Sequence, residues 1–212
     1  MRYNILSTSS KGNCIIVNNY LALDIGIAYK KVQKHLKHIK IIFVSHSHSD
    51  HLNKACIRKI SYEYPNIKFL CAAYLVPKLL DCNVKEKNIL VLETGKWYSI
   101  GIFNAKLDRL VHDVDNCCIH IEFKDKTRLL YAVDTANLDN IVAKDYDYYF
   151  LENNYDEEEI ETREQLEELK IRIKNTHLSK QQCDKFLMEN MGDNSEYIYC
   201  HQHVGKEEEN EN

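Results

Sequence analysis

At 212 residues, with 44% hydrophobic and 28% charged residues, the chain has room for one sizeable core and the composition of an ordinary globular domain, which excludes disordered and fibrous classes. A formal net charge of −4 excludes a global electrostatic pull toward nucleic acid, so a polyanionic substrate would have to be held by local charge. No apolar run approaches the roughly 20 residues of a membrane-spanning helix, and Met1-Arg2-Tyr3-Asn4 has no signal-peptide shape, so the expected location is the cytoplasm, without membrane contact.

Tyr3 to Leu6 is predicted as a strand that leads into a polar loop, Ser7 to Asn13. Lys11 in that loop either meets a phosphate or belongs to a plain turn. Cys14 to Val17 and Leu21 to Ile25 follow as strands, joined by an Asn18-Asn19 hairpin turn. Asp24 is read as a carboxylate that braces a neighbouring loop, with a helix N-cap as the alternative. Ala28, Val32, Leu36 and Ile39 recur at helical spacing, and His35 and His38 fall off that stripe, facing solvent.

Ile41 to Val44 reads as a buried strand, and it runs into His46-Ser47-His48-Ser49-Asp50-His51. A helix from Asn53 to about Tyr62, a turn at Pro65-Asn66, a strand from Ile67 to Cys71 and a helix from Tyr74 to Leu80 come next. Ile89 to Leu92 and Tyr98 to Phe103 read as strands, and Ala105, Leu107 and Val111 alternate up to His112-Asp113. Cys117 to Phe123, Leu129 to Val133 and Asp147 to Leu151 are further strands, the last ending at Glu152. Asp156 to Lys174 is a charged helical region, in which Arg172 and Lys174 are read as surface charge, and Ser179 caps a helix to about Asn190. Tyr197 to Cys200 is the final strand. A strand-rich stretch followed by strand–helix alternation thus occurs twice. The expected organisation is one α/β domain over residues 1–205, in halves of about 1–103 and 104–205, with 206–212 an acidic tail. The eight cysteines have irregular spacing and no Cys-x-x-Cys, so all are expected to be reduced.

His46 to His51 carries the densest chemistry. In an extended segment alternate side chains share a side, so His46, His48 and Asp50 can converge, and a turn brings in His51. Imidazole and carboxylate donors at this density suit zinc or a similar first-row ion. His112, Asp134 and His201 also stand just past apolar strands, and they meet the motif if those strands end along one edge. The set then serves two divalent ions, zinc or manganese: His46, His48 and His112 at one, Asp50, His51 and His201 at the other, with Asp134 bridging. Each later ligand has an alternative: His112 bonded only to Asp113, Asp134 capping a helix near Asn137, and His203 in place of His201. His120, inside a strand, is read as a satisfied histidine rather than a ligand.

The motif His46-Ser47-His48-Ser49-Asp50-His51 resembles the His-x-His-x-Asp-His signature of the metallo-β-lactamase-fold hydrolases. Within them the chain is similar to the YycJ/WalJ-like nuclease branch, through Ser9 to Cys14, Leu23 to Gly26, Val111-His112-Asp113, Val133-Asp134-Thr135, Leu151 to Asp156, Leu169 to Ile173 and Thr176 to Ser179. It departs from that branch after the last ligand, where Gln202-His203-Val204-Gly205 stands. The resemblance implies a four-layer αβ/βα sandwich with a metal pair at one edge.

The expected chemistry is phosphodiester hydrolysis, in which the metal pair supplies hydroxide near neutral pH and Asp50 orients the nucleophile. Thr176-His177-Leu178-Ser179 resembles the histidine motif of the tRNA 3′-processing enzymes, which implies His177 as proton donor to the leaving oxygen, supported by Glu152. The expected substrate is DNA or RNA. The alternatives are a phosphodiesterase for small cyclic or linear nucleotides and a metal-binding module without catalysis. Oligomeric state is left open, a homodimer included.

Overall fold

The computed structural model describes residues 1–162, 164 and 166–201. His203 and the acidic stretch 206–212 lie outside the described residues.

Strands β1 (Tyr3–Ser9), β2 (Gly12–Val17), β3 (Leu21–Leu23), β4 (Ile41–Phe43), β5 (Lys68–Cys71) and β6 (Ile89–Val91) form the first sheet in that order. Its first three strands are antiparallel and β3 to β6 are parallel. Asn18 and Asn19 have φ of 49° and 63°, the left-handed pair that a tight hairpin turn needs and that asparagine tolerates. The second sheet, built from β7 (Trp97–Ser99), β8 (Phe103–Leu110), β9 (Asn116–Phe123), β10 (Arg128–Ala132), β11 (Tyr148–Glu152) and β12 (Glu196–Cys200), repeats the plan. Strands β7 to β10 are antiparallel, and β10, β11 and β12 are parallel.

Alternation along the strands sorts side chains into layers. Ile15 and Val17 of β2 face a central core with Phe43, Ile119, Tyr131 and Phe150, between the two sheets. Cys14 and Ile16 face the other way, against helices α1 (Tyr29–Val32), α2 (Lys54–Glu63) and α3 (Val76–Asp81). On the far side of the second sheet, Cys118, Leu130, Tyr149 and Leu151 pack on Cys183, Phe186 and Leu187 of α6 (Lys180–Asn190). Two helices precede α6, α4 (Glu157–Thr162) and α5 (Glu167–Thr176). The result is an αβ/βα sandwich, as expected. Each fully buried Leu, Ile or Phe adds about 1.5–3 kcal/mol relative to exposure, and Phe43, Ile119 and Phe150 are among those with essentially no accessible surface.

Several elements differ from expectation. The chain passes between sheets from Val91 to Trp97, ahead of the boundary near 103, because Trp97–Ser99 pairs with Phe103 onward as a hairpin. Gly101, at φ 86°, turns the chain inside what reads as one strand from Tyr98 to Phe103. The helix predicted from Ala28 is one α turn followed by a 3-10 turn, Gln33–His35, though Val32, Leu36 and Ile39 are buried as that stripe requires. All eight cysteines are buried and free. Among the described residues no helix is long and apolar enough to cross a membrane.

Candidate metal centre

The parallel strands of both sheets, together with β8, run toward one edge, and the polar residues stand just past their ends: Asp24 after β3, His46 after β4, His112 after β8, Asp134 after β10 and His201 after β12. Glu152 is the last residue of β11. Carboxyl ends of parallel strands are where α/β folds place ligands. Asp24, Asp134 and His201 have φ of 58°, 56° and 51°. Left-handed backbone costs a side-chain-bearing residue roughly 1–2 kcal/mol, so the surroundings must over-determine these turns. They do: Asn116 Nδ2 donates to the carbonyls of Val133 and Asp134 at 2.9 and 2.6 Å, and the His201 N–H donates to Thr8 Oγ1 at 3.0 Å.

The His46–His51 loop is held from beneath. The Asp24 carboxylate accepts from the Ser45 N–H (2.8 Å), Ser45 Oγ (2.9 Å), His51 Nδ1 (2.6 Å) and Tyr131 OH (2.7 Å), so it is the brace rather than an N-cap. Ser45 Oγ gives its proton to Asp24 and so accepts from His46 Nδ1, at 3.0 Å, which leaves an electron pair on His46 Nε2. The Asn13 N–H donates to the Asp50 carbonyl at 2.7 Å, and the Ile25 N–H to the His51 carbonyl at 3.0 Å. A Cβ on Gly26 would stand 1.6 Å from the Asp50 carbonyl oxygen, so only glycine allows this approach.

Three donor groups result, each with its atoms within 4.8 Å of one another: His46, His48 and His112; Asp50, His51, Asp134 and His201; and Asp134, Glu152, His177 and His201. His112 Nδ1 donates to the Thr176 carbonyl at 2.8 Å, so its Nε2 is proton-free and lies 3.3 Å from His48 Nδ1. Asp134 faces both ways: Oδ2 is 2.6 Å from His51 Nε2 and 3.6 Å from His46 Nε2, and Oδ1 is 3.1 Å from His177 Nδ1 and 3.2 Å from His201 Nδ1. Asp50 Oδ2 lies 3.1 Å from His201 Nε2 and 3.3 Å from His51 Nε2.

Two of these atoms test whether a cation fits. His46 Nε2 is buried and has no hydrogen-bond partner, and the buried Asp134 Oδ2 faces it at 3.6 Å, with the His51 imidazole 2.6 Å away on its other side. Burying an imidazole nitrogen unpaired costs on the order of 1–3 kcal/mol. A cation between an imidazole lone pair and a carboxylate oxygen removes that cost. The donor set, imidazole nitrogen and carboxylate oxygen with no thiolate, fits zinc or manganese.

The buried carboxylates draw positive charge to the site, while His46 is kept neutral. Burial, with the charge of His51, holds His46 well below the ordinary histidine value. Burial also opposes charge on His51, but Asp134 and Asp24 outweigh it and hold His51 well above that value. His201 goes up to about 9 against its own burial, through Asp134, Asp50 and Glu152. Burial raises Asp134, yet His51 and His201 hold it well below the usual carboxylate range. Protons and metal ions compete for such a site.

Glu152 clamps the second half of the edge. Its Oε2 accepts from the N–H groups of Thr135 (2.8 Å) and Leu178 (3.1 Å), and its Oε1 lies 2.6 Å from His177 Nδ1. His177 is the C-cap of α5, and Ser179 two residues on opens α6 with a capping box to Gln182, so the link carrying His177 is short and pinned at both ends. His120 is elsewhere, bonded to Asp108 (3.0 Å) and Tyr146 (3.1 Å). Cys118 also lies by it, at 3.7 Å, but Lys106 already neutralises Asp108 at 2.6 Å, so this network is closed. Sequence reasoning missed Asn13, Asn116 and Asn154 as bracing amides; Asn154 Nδ2 lies 3.3 Å from His201 Nδ1. Asn13 and Asn116 abut apolar runs, Cys14–Val17 and Cys117–Phe123, which is their one signal, and Asn154 carries none.

The fold has known counterparts. A crystal structure of YhfI from Bacillus subtilis, described as a metallo-β-lactamase fold protein, superposes with a TM-score of 0.70 over 97% of this chain and 88% of that one, at 15% identity. The chain has the metallo-β-lactamase fold. Two further structures share it: human tRNase Z, short form (TM-score 0.72, 12% identity, 96% of this chain and 93% of that), and a long-form RNase Z from yeast (0.66, 12% identity, 96% and 38%). Among curated sequences, cytidine monophosphate-N-acetylneuraminic acid hydroxylase from Asterias rubens is 32% identical over 103 residues, 46% of this chain and 16% of that protein. The chain therefore spans a small part of that relative's length. No family model matches the chain.

Proposed function

We propose that this metallo-β-lactamase-fold chain is a dinuclear-metal-dependent phosphodiester hydrolase acting on nucleic acid. His46, His48 and His112 serve one ion, Asp50, His51 and His201 the other, and Asp134 bridges them. The observation that carries this reading is the buried His46 Nε2, without a hydrogen bond and 3.6 Å from the buried Asp134 Oδ2, at the point where the donor groups meet. Divalent ions there lower the pKa of water and draw charge off phosphoryl oxygens. Asp50, 21% exposed at its side chain, orients the attacking water from the rim of the edge. His177, also 21% exposed, has Nδ1 held by Glu152 at 2.6 Å, which leaves its other nitrogen to pass a proton to the leaving oxygen. The likeness to structures named tRNase Z and RNase Z, and the motif resemblance to the YycJ/WalJ-like nucleases, support nucleic acid as the substrate. The net charge of −4 favours a second reading, a small cyclic or linear nucleotide, which needs no extended basic surface.

The test is incubation of zinc- or manganese-reconstituted protein with end-labelled DNA and RNA, cyclic mononucleotides and bis-p-nitrophenyl phosphate. Cleavage of DNA or RNA is expected; cleavage of cyclic nucleotides alone selects the second reading, and no cleavage by fully loaded protein leaves a binding module. His177→Ala is expected to lower turnover about 10²–10⁴-fold with metal content unchanged. Parallel loss of both would make His177 a ligand or a structural residue instead.

A further inference from the structure

A metal-binding histidine needs a partner on its outer nitrogen to set which nitrogen faces the ion. Ser45 Oγ serves His46, Asp24 serves His51, and the Thr176 carbonyl serves His112. His48 needs one most, since its side chain is 35% exposed against 0% for His46 and 2% for His112. Its Nδ1 faces inward, 3.3 Å from His112 Nε2, and its Nε2 lies 3.3 Å from Asp113 Oδ1.

We infer that Asp113 is the positioning residue for His48, and that Arg172 of α5 holds Asp113 in place; this rests on the metal-site reading above. Asp113 Oδ1 is also 3.2 Å from His112 Nε2, but that nitrogen cannot donate, because His112 has its proton on Nδ1, bonded to the Thr176 carbonyl. Of the two imidazoles beside Asp113 Oδ1, only His48 can therefore turn an N–H toward it, from Nε2 at 3.3 Å, which leaves the electron pair of His48 on Nδ1, facing inward. Arg172 Nη2 donates to the other carboxylate oxygen, Oδ2, at 2.9 Å. Arg172 on Oδ2 thus turns the other oxygen, Oδ1, toward His48. Arg172 is thus more than surface charge. The same helix ends at Thr176, so α5 fixes two of the three imidazoles in the first donor group.

The experiment measures metal content and chelator-competition affinity for wild type, Asp113→Ala, Asp113→Asn, Arg172→Ala and His112→Ala, with thermal melts of the metal-free proteins. Asp113→Ala is expected to weaken one of two metal equivalents by about 10–100-fold, leaving the other equivalent and the metal-free melting temperature unchanged. Asp113→Asn, whose carbonyl oxygen still accepts from Nε2–H, is expected to recover most of that affinity. Arg172→Ala is expected to weaken the same equivalent by less than Asp113→Ala does. Unchanged affinity in Asp113→Ala would overturn the proposal. So would loss of the equivalent as complete as in His112→Ala, which would make Asp113 a ligand, or a lowered metal-free melting temperature, which would make it structural. Wild type that binds no metal would instead sink the metal reading itself, before any variant is compared.

Discussion

His51 and His120 are both buried histidines beside a carboxylate, and their partners separate them. His51 has Asp24 on one nitrogen and Asp134 on the other, among further donors that converge on the same space. His120 has Asp108, Tyr146 and Cys118 around it, with Lys106 already on Asp108 and Trp97 against the ring, so nothing is left over for an ion. Burial holds His120 below the ordinary histidine value, with Asp108 opposing and Lys106 reinforcing that shift. The sign follows: below about pH 6.5 the unfolded chain binds a proton at this position that the folded chain does not, so stability falls as pH drops. His120→Asn is expected to lower stability at pH 7 but to flatten its pH dependence below 6.5 by up to about 1.4 kcal/mol per pH unit, read from urea denaturation across pH. An unchanged slope would mean that His120 titrates normally. His46, His112, Asp134, Glu152 and His201 stand out in the sequence because each follows an apolar run. Their partners do not: the Thr176 carbonyl and the N–H groups of Thr135 and Leu178 belong to the backbone, which every residue has.

At the scale of elements, the site depends on close approaches that no periodicity encodes. Gly26 lies under the Asp50 carbonyl, and its N–H donates to the Asn13 carbonyl at 2.9 Å, so two segments far apart in sequence seat the His46–His51 loop. Gly26→Ala must push that loop outward. It is expected to cost about 1–3 kcal/mol or more in urea unfolding, as steric overpacking in a core does, and to weaken metal binding with it. Full stability and affinity in this variant would show that the loop is not seated as described. Elements of strong pattern read well from sequence, such as β2, β9 and α6 with its Ser179 cap. The helix over Tyr29 to His35 is shorter than its apolar stripe suggests, since Leu36 and Ile39 are buried through a 3-10 turn and the chain beyond it. The 98–103 stretch misled because its apolar residues continue through a hairpin turn whose only marker is Gly101.

Over the whole molecule, two sheets of matching plan bring strand ends from both halves to one edge, and each half supplies donors that the other lacks. Strand–helix order made the α/β sandwich legible. The pairing of halves was less so, because the join falls in short strands, β6 and β7, with little to distinguish them from loops. Whether this edge holds two ions bridged by Asp134 is read from metal content per chain after reconstitution and gel filtration, for wild type and Asp134→Ala. Two equivalents of zinc or manganese are expected in wild type and at most one in Asp134→Ala. One equivalent or none in wild type, or two retained with unchanged affinity in Asp134→Ala, would contradict the bridged pair.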